Sequence, residues 1–414
     1  MSTVPASRFR KAAVGLAAAC CLAIGVSAAQ DIPNSPAAKA VPEWIAQSNA
    51  QSQVLLETYA RFWPETAGSF GMAGVDNRVV DLGPALQERV KAAFTAAARE
   101  LEERRATVSD PRVLQDLEIL RTDALLRAAI AEADQRYLLP NFDVANLVHD
   151  GVRALLNEQV TRERHSAAAV RLRRYAGLEE GYTPVATLAE ARVREQLQTI
   201  GLLFPLRTEL EQQLANGARY LDGVEALLDT YKVKDGRKAL KELRTQIAAY
   251  EDFLRREVLP RAREDFRLPA ELYAVRLRAT GVDIPPAELA ARARSAFIEI
   301  RNQMTVLAPI VAREFGLEST DYPGVIRELR NRQVTGEAAL ALYRERLAAI
   351  EDIIRRNGIV SLPEREAIIR LATAAESASV PSPQMKPPPL IDNRGERGEF
   401  VLPLAMPPVP GATE

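Results

Sequence analysis

The sequence predicts a mainly α protein: a large helical array with a few short strands and a proline-rich extended tail near the C-terminus. Three observations predict it. Ala, Leu, Glu and Arg dominate the composition, and all four are good helix formers. Apolar residues recur in steps of three and four through most of residues 44–357, the spacing of one helix face. That pattern stops near Gly358, after which β-branched runs and then closely spaced prolines take over. No fixed-period repeat is present, which disfavours a helical solenoid.

Taken in order, the chain opens with Arg8, Arg10 and Lys11, followed by an uncharged run from Ala12 to Ala29 that ends in Ser27-Ala28-Ala29. This is the basic, apolar and small-residue sequence of a secretory signal peptide, expected over residues 1–29 with a linker over 30–43. The run is marginal against the roughly 20 apolar residues that cross a bilayer, so removal is expected rather than a retained anchor. The two cysteines, Cys20 and Cys21, lie inside it, leaving a mature chain that relies on its core instead of disulfides. Leu16-Ala17-Ala18-Ala19-Cys20 loosely resembles a lipoprotein processing box, so lipidation of Cys20 stands as the second route. Either way the protein is expected to be exported, periplasmic or secreted, with no membrane span after processing.

Ser109-Asp110-Pro111 reads as a helix start, with a cap and a proline at the first position, and Thr187-Leu-Ala-Glu190 has capping-box spacing. Ala239 to Arg256 carries the stripe Leu240, Leu243, Ile247, Tyr250 and Leu254. Ala287 to Ala312 aligns Leu289, Ala293, Ala296, Phe297, Ile300, Met304, Leu307 and Val311; Pro285 and Pro286 suit its first turn, and Pro309 is expected to kink or end it. Gly336 to Arg356 repeats the pattern through Leu340, Tyr343, Leu347, Ile350 and Ile354, with Thr335 as N-cap and Gly358 as terminator. Residues 44–357 therefore read as a helical domain, and 358–414 as strands and tail. Ile359 to Leu362, Ala367 to Leu371 and Glu399 to Leu402 read as short strands. The tail between them cannot bury a core alone.

Lys and Arg total 54 against 55 Asp and Glu, so net charge gives no reason to expect nucleic acid or an anionic membrane as partner. A zinc hydrolase commonly places two histidines on one helical turn, but His149 and His165 are widely separated, and a structural or solvated role is the plainer reading of each. Cysteine nucleophile, G-x-S-x-G elbow, phosphate loop and dinucleotide fingerprint are all missing from the mature sequence. Glu102-Glu103 and Glu179-Glu180 read as solvated surface. Arg171, Arg173 and Arg174 can hold a substrate carboxylate, although a helix ion-pair network is the simpler account. The residues themselves thus nominate no catalytic, cofactor-binding or metal-binding set.

Several segments together carry a resemblance. They are Pro64-Glu-Thr-Ala-Gly-Ser-Phe-Gly71 with Asp76 and Val80-Asp-Leu-Gly-Pro84; Ala169-Val-Arg-Leu-Arg-Arg-Tyr-Ala-Gly177; and Pro269-Ala-Glu-Leu-Tyr-Ala-Val-Arg-Leu277. Leu362-Pro363 with Arg370-Leu-Ala-Thr373, Pro387-Pro-Pro-Leu390 and Gly398-Glu-Phe-Val-Leu-Pro403 follow and are the most distinctive. In this order they resemble the bacterial domain of unknown function 885 family, exported proteins similar to helical zinc metallopeptidases. The resemblance implies walls of a deep cleft built by helices, and an apolar island, Phe400 to Leu404, that pairs with structure encoded downstream. It also implies zinc for the complete architecture, on a motif resembling H-E-x-x-P-G-H downstream of that segment. No position of this chain matches that motif, so no zinc ligand carries over, and the chain reads as ending before a catalytic region. Two functions are expected: the substrate-cleft portion of an exported metal-dependent, peptidase-like hydrolase, or a non-catalytic exported protein that binds a peptide, small molecule or partner.

Overall fold

The computed structural model describes residues 42–403, apart from 333, 335, 380, 381, 392 and 394. The expected signal peptide and nearly all of the linker lie outside the described residues, as do Thr335 and residues 404–414. Within them the protein is mainly α, with fourteen α-helices and one three-stranded sheet.

Helix α1 (Glu43–Phe62) runs into the short α2 (Pro64–Ser69), separated only by Trp63. Helices α3 (Leu86–Arg105) and α4 (Pro111–Tyr137) form a long hairpin, joined by residues 106–110, that packs over much of its length. Asp110 caps α4 by accepting from the Arg112 backbone N–H at 2.9 Å, with Pro111 in the first turn. The small side chains Ala124, Ala128 and Ala131 on α4 let α1 and α3 approach closely, so that Phe62, Phe94 and Leu101 are sealed from solvent.

The second half of the core contains α5 (Val144–Arg153), α6 (Ser166–Tyr175), α7 (Val185–Gln196), α8 (Arg207–Thr230) and α9 (Arg237–Phe253). Helix α9 continues as a π turn, Leu254–Val258, and all five residues of its expected stripe are buried. Helix α7 begins at Val185, two residues before Thr187, because Pro184 fixes the turn and its carbonyl accepts from Leu188 N. Thr187 is thus inside the helix, and Glu190 pairs with Arg194 rather than completing a capping box.

Helix α10 (Ala270–Ala279) returns to α4, where Arg276 bonds Asp134. Helix α11 (Pro286–Phe315) continues through Pro309, which does not end it. Its last turns are held from outside: Ala308 and Ala312 are buried against Val325 of α12 (Tyr322–Arg330). Much of its apolar stripe is left uncovered among the described residues, with Phe297 63% and Ile300 54% exposed. Periodicity reports that a face is apolar, not that a neighbour covers it.

Helix α13 (Gly336–Asn357) ends at Gly358, whose φ of +58° suits glycine. Residues 359–362 form no strand; Ile359 and Val360 are exposed and pair with nothing in the small sheet. The sheet contains β1 (Ile368–Leu371), β2 (Gln384–Lys386) and β3 (Glu399–Leu402), with the one-turn helix α14 (Glu376–Ser379) between the first two. β3 is central, parallel to β1 and antiparallel to β2. The described part of the expected Phe400-to-Leu404 island therefore finds strand partners on both sides inside this chain, correcting the expectation that it waits for a later segment. Ile369, Leu402 and Leu340 of α13 form the cluster beneath it.

Candidate functional site

A cleft of about 660 Å³ opens where the sheet meets the helical body. One wall is α2 and α5 with the segment after it; the other is β2, Pro387 to Pro389 and the chain leading into β3. The extended wall is tied down at both ends. Ile391 N donates to the Phe70 carbonyl at 2.9 Å, and Gln159 bonds the Arg397 backbone and Glu399. Proline suits such a segment because it pre-sets an extended φ and gives up little entropy on ordering.

The floor is built around glycine. Gly151 on α5 lies where a Cβ would come within 2.2 Å of the Tyr175 hydroxyl. That hydroxyl donates to Glu65 Oε1 at 2.5 Å, and the Val80 N–H donates to the same oxygen at 2.8 Å. Burial, then the Glu65 charge, pushes the Tyr175 phenol well above its usual range, so it stays a donor. Behind it Arg171 is fully enclosed, donating to the Gly151 carbonyl at 2.6 Å and the Val75 carbonyl at 3.3 Å. Arg171 therefore braces the floor rather than joining an ion-pair network. Arg173 and Arg174, by contrast, both bind Glu179.

The cleft's charged centre is Glu376, 2% exposed. Three cations from three elements converge on its Oε1: Arg153 of α5, Arg370 of β1 and Lys386 of β2, each at 2.9 Å. Oε2 accepts from Arg370 at 2.8 Å and from Thr373 N at 3.0 Å, while Glu376 N donates back to Thr373 Oγ1 at 3.1 Å. Burial alone would raise this carboxyl, but the Arg370 hydrogen bonds and the Arg153 charge hold it well below the usual carboxylate range. Burial and the neighbouring Arg153 charge lower the Lys386 ammonium, partly offset by Glu376. Glu376 is not among the residues the sequence nominates, although Thr373-Ala-Ala-Glu376 has the spacing of a capping box.

Neither histidine lines this cleft. His149 is buried, its Nδ1 3.2 Å from Asp150 Oδ1 and its ring tilted against Tyr220. His165 binds the Val160 carbonyl through Nε2 and meets Tyr231 edge-on. Glu102 pairs with Arg121 on the surface, and Glu103 is exposed. Among the described residues, no group of three or more His, Cys, Asp or Glu side chains is placed to hold a metal ion. The residues described thus do not fit the zinc that the resemblance implies.

The family model described as a bacterial protein of unknown function (DUF885) matches residues 64–412. The chain belongs to this family. The match takes in every lining residue of the cleft from Glu65 to Glu399, with Trp63 alone just outside it. A solved protein from Colwellia psychrerythraea, described as a "putative lipoprotein", has a similar fold, with a TM-score of 0.58 at 12% identity over 87% of this chain. The likeness covers 66% of that protein, so this DUF885 chain spans just under two thirds of its length. No curated protein matches.

Proposed function

We propose that this DUF885 chain is the substrate-cleft portion of an exported hydrolase that acts on peptides. One observation carries the peptide reading: β2 lies on the cleft wall as an edge strand, paired with β3 on one side and with no strand on its other side among the described residues. A free edge offers unpaired backbone groups to an extended chain, which can add to the sheet as a further strand. Gln384 and Lys386, on one face of β2, and the charged groups of α5 opposite then meet alternate side chains or chain ends of the bound peptide. The hydrolase reading is supported by the likeness of the C-terminal segments to metallopeptidase-like proteins. Export is supported by the leader pattern from Arg8 to Ala29 and by the description of the Colwellia protein; no helix among the described residues is long and apolar enough to cross a membrane. The alternative, a non-catalytic binder, uses the same cleft and is favoured by the mutual pairing of Arg153, Lys386 and Glu376, which suits holding a ligand more than proton transfer.

Fluorescence anisotropy of a labelled extended peptide tests the binding mode. Saturable binding is expected, with at least a tenfold loss when alternate backbone amides of the peptide are N-methylated and can no longer pair with β2. Equal binding of both peptides would rule out strand addition, and no binding of either would end the peptide reading. Turnover of the bound peptide separates the hydrolase from the binder.

A further inference from the structure

The Glu376 cluster has more positive charge than it uses. Arg153, Arg370 and Lys386 face two carboxylates, Glu376 and Glu399, and Glu399 is taken by Arg370 at 2.8 Å. Arg153 and Lys386 therefore share a single oxygen, Glu376 Oε1, which also receives Arg370. Both line the cleft, with side chains 24% and 26% exposed; Lys386 donates one of its three hydrogens to that oxygen, and the Arg153 guanidinium, with five donors, lies 2.9 Å from it as an ion pair. The other acidic groups on the walls have partners of their own: Glu65 holds Tyr175 and Val80, Asp150 faces His149, and the Glu396 charge acts on Arg164. Burial first and the Arg153 charge second depress the Lys386 ammonium, and an added anion would offset the second of these.

We propose that Arg153 and Lys386, held in place by the buried Glu376, form a subsite for a substrate carboxylate at the cleft end of β2. This deepens the peptide reading above and rests on it: a peptide added to β2 would place its carboxylate, terminal or side-chain, against these two cations. Glu376 acts as a positioning residue, fixing both cations from below through its saturated carboxylate. Arg153 supplies the planar donors for a carboxylate, and Lys386 a compact charge beside it.

Calorimetric titration of the purified chain with N-acetyl-trialanine and with its C-terminal amide decides the matter. A third probe, the amide of N-acetyl-Ala-Ala-Glu, separates a side-chain carboxylate from a terminal one. At pH 7 at least one of the two carboxylate probes is expected to bind ten times more tightly than the neutral amide or better. The advantage should shrink to within twofold in Lys386→Met and in Arg153→Gln, and survive largely in Lys386→Arg, with circular dichroism confirming that each variant is folded. If neutral and carboxylate probes bind equally, the subsite is wrong and strand addition at β2 still stands. If none of the three binds, the peptide reading fails and the subsite with it. An advantage that persists in both the Met and Gln variants would place the carboxylate elsewhere and overturn the assignment.

Discussion

Tyr175 and Glu65 meet across α6 and α2 through a hydroxyl–carboxylate hydrogen bond of 2.5 Å, directly over the bare Cα of Gly151. Three helices are thereby locked at one point of the cleft floor, and the lock needs a residue without a side chain on α5. Gly151→Ala tests it. Helix propensity alone would favour alanine by roughly 0.5–1 kcal/mol, so an unobstructed site would be stabilised. A Cβ 2.2 Å from the Tyr175 oxygen instead forces the two helices apart, and such overpacking costs about 1–3 kcal/mol. The variant is expected to melt lower than the parent, and the double variant Gly151→Ala/Tyr175→Phe to recover much of the loss. A rise in melting temperature for the single variant would show that the floor is not closed this way.

Arg171 gives a second handle on the same floor. Its two terminal nitrogens reach two carbonyls, Gly151 and Val75, on different segments. A lysine has a single compact nitrogen in place of the planar fork whose two nitrogens each take one carbonyl. Arg171→Lys is expected to destabilise by about 1–3 kcal/mol, the cost of leaving a buried acceptor unpaired, measured as a shift in the urea midpoint without a change in slope. A neutral outcome would mean the enclosed guanidinium is not a brace.

Legibility differed sharply along the chain, for physical reasons. Helix α9 was readable because its stripe is also its buried face: Leu240, Leu243, Ile247, Tyr250 and Leu254 all reach the core. The apolar residues of α11 follow the same spacing yet stay exposed, since local periodicity holds no information about what packs against it. That the helix does not end at Pro309 is not visible in the sequence, which does not show that α12 grips the turns around it. The site was the least legible part. Arg153, Arg370, Glu376 and Lys386 are spread over more than two hundred positions and meet only because β1, α14 and β2 fold back onto α5. Only the capping box at Thr373 and Glu376 is local enough to be seen beforehand.

Asp143 caps α5, the helix that carries Asp150, Gly151 and Arg153, by accepting from Asn146 N at 3.0 Å. Burial, with Asp150 nearby, pushes its carboxyl up from 3.8 to about 6 despite that hydrogen bond. A folded value above the unfolded one means the native state binds more protons between about pH 4 and pH 6, so stability from this group falls as pH rises through that window. Asp143→Asn keeps a good cap acceptor and removes the buried charge. The variant is expected to be more stable than the parent at pH 7, by on the order of 1 kcal/mol, and nearly equal to it at pH 4. A gain of the same size at both values would trace the effect to something other than ionisation.

Glu376 makes the opposite case. Its folded carboxyl lies well below the ordinary 4.5, so it contributes stability that is fully present above the unfolded value and is lost as pH falls below it towards the folded one. Replacing it by glutamine leaves Arg153, Arg370 and Lys386 facing a neutral amide that offers one acceptor oxygen where the carboxylate offered two. Removing one partner from a buried ion pair costs about 3–5 kcal/mol. Part of that is recovered here because the cations are about a quarter exposed and can turn to water. Glu376→Gln is therefore expected to lower stability at pH 7 by about 2 kcal/mol, read from urea unfolding, with the gap to the parent narrowing as pH drops from 5 to 3. Since α14, β1 and β2 are joined to α5 through this one carboxylate, hydrogen exchange should quicken first in Ile368–Leu371 and Gln384–Lys386. A gap that stays constant down to pH 3 would show that shape, not charge, holds the sheet against the helices.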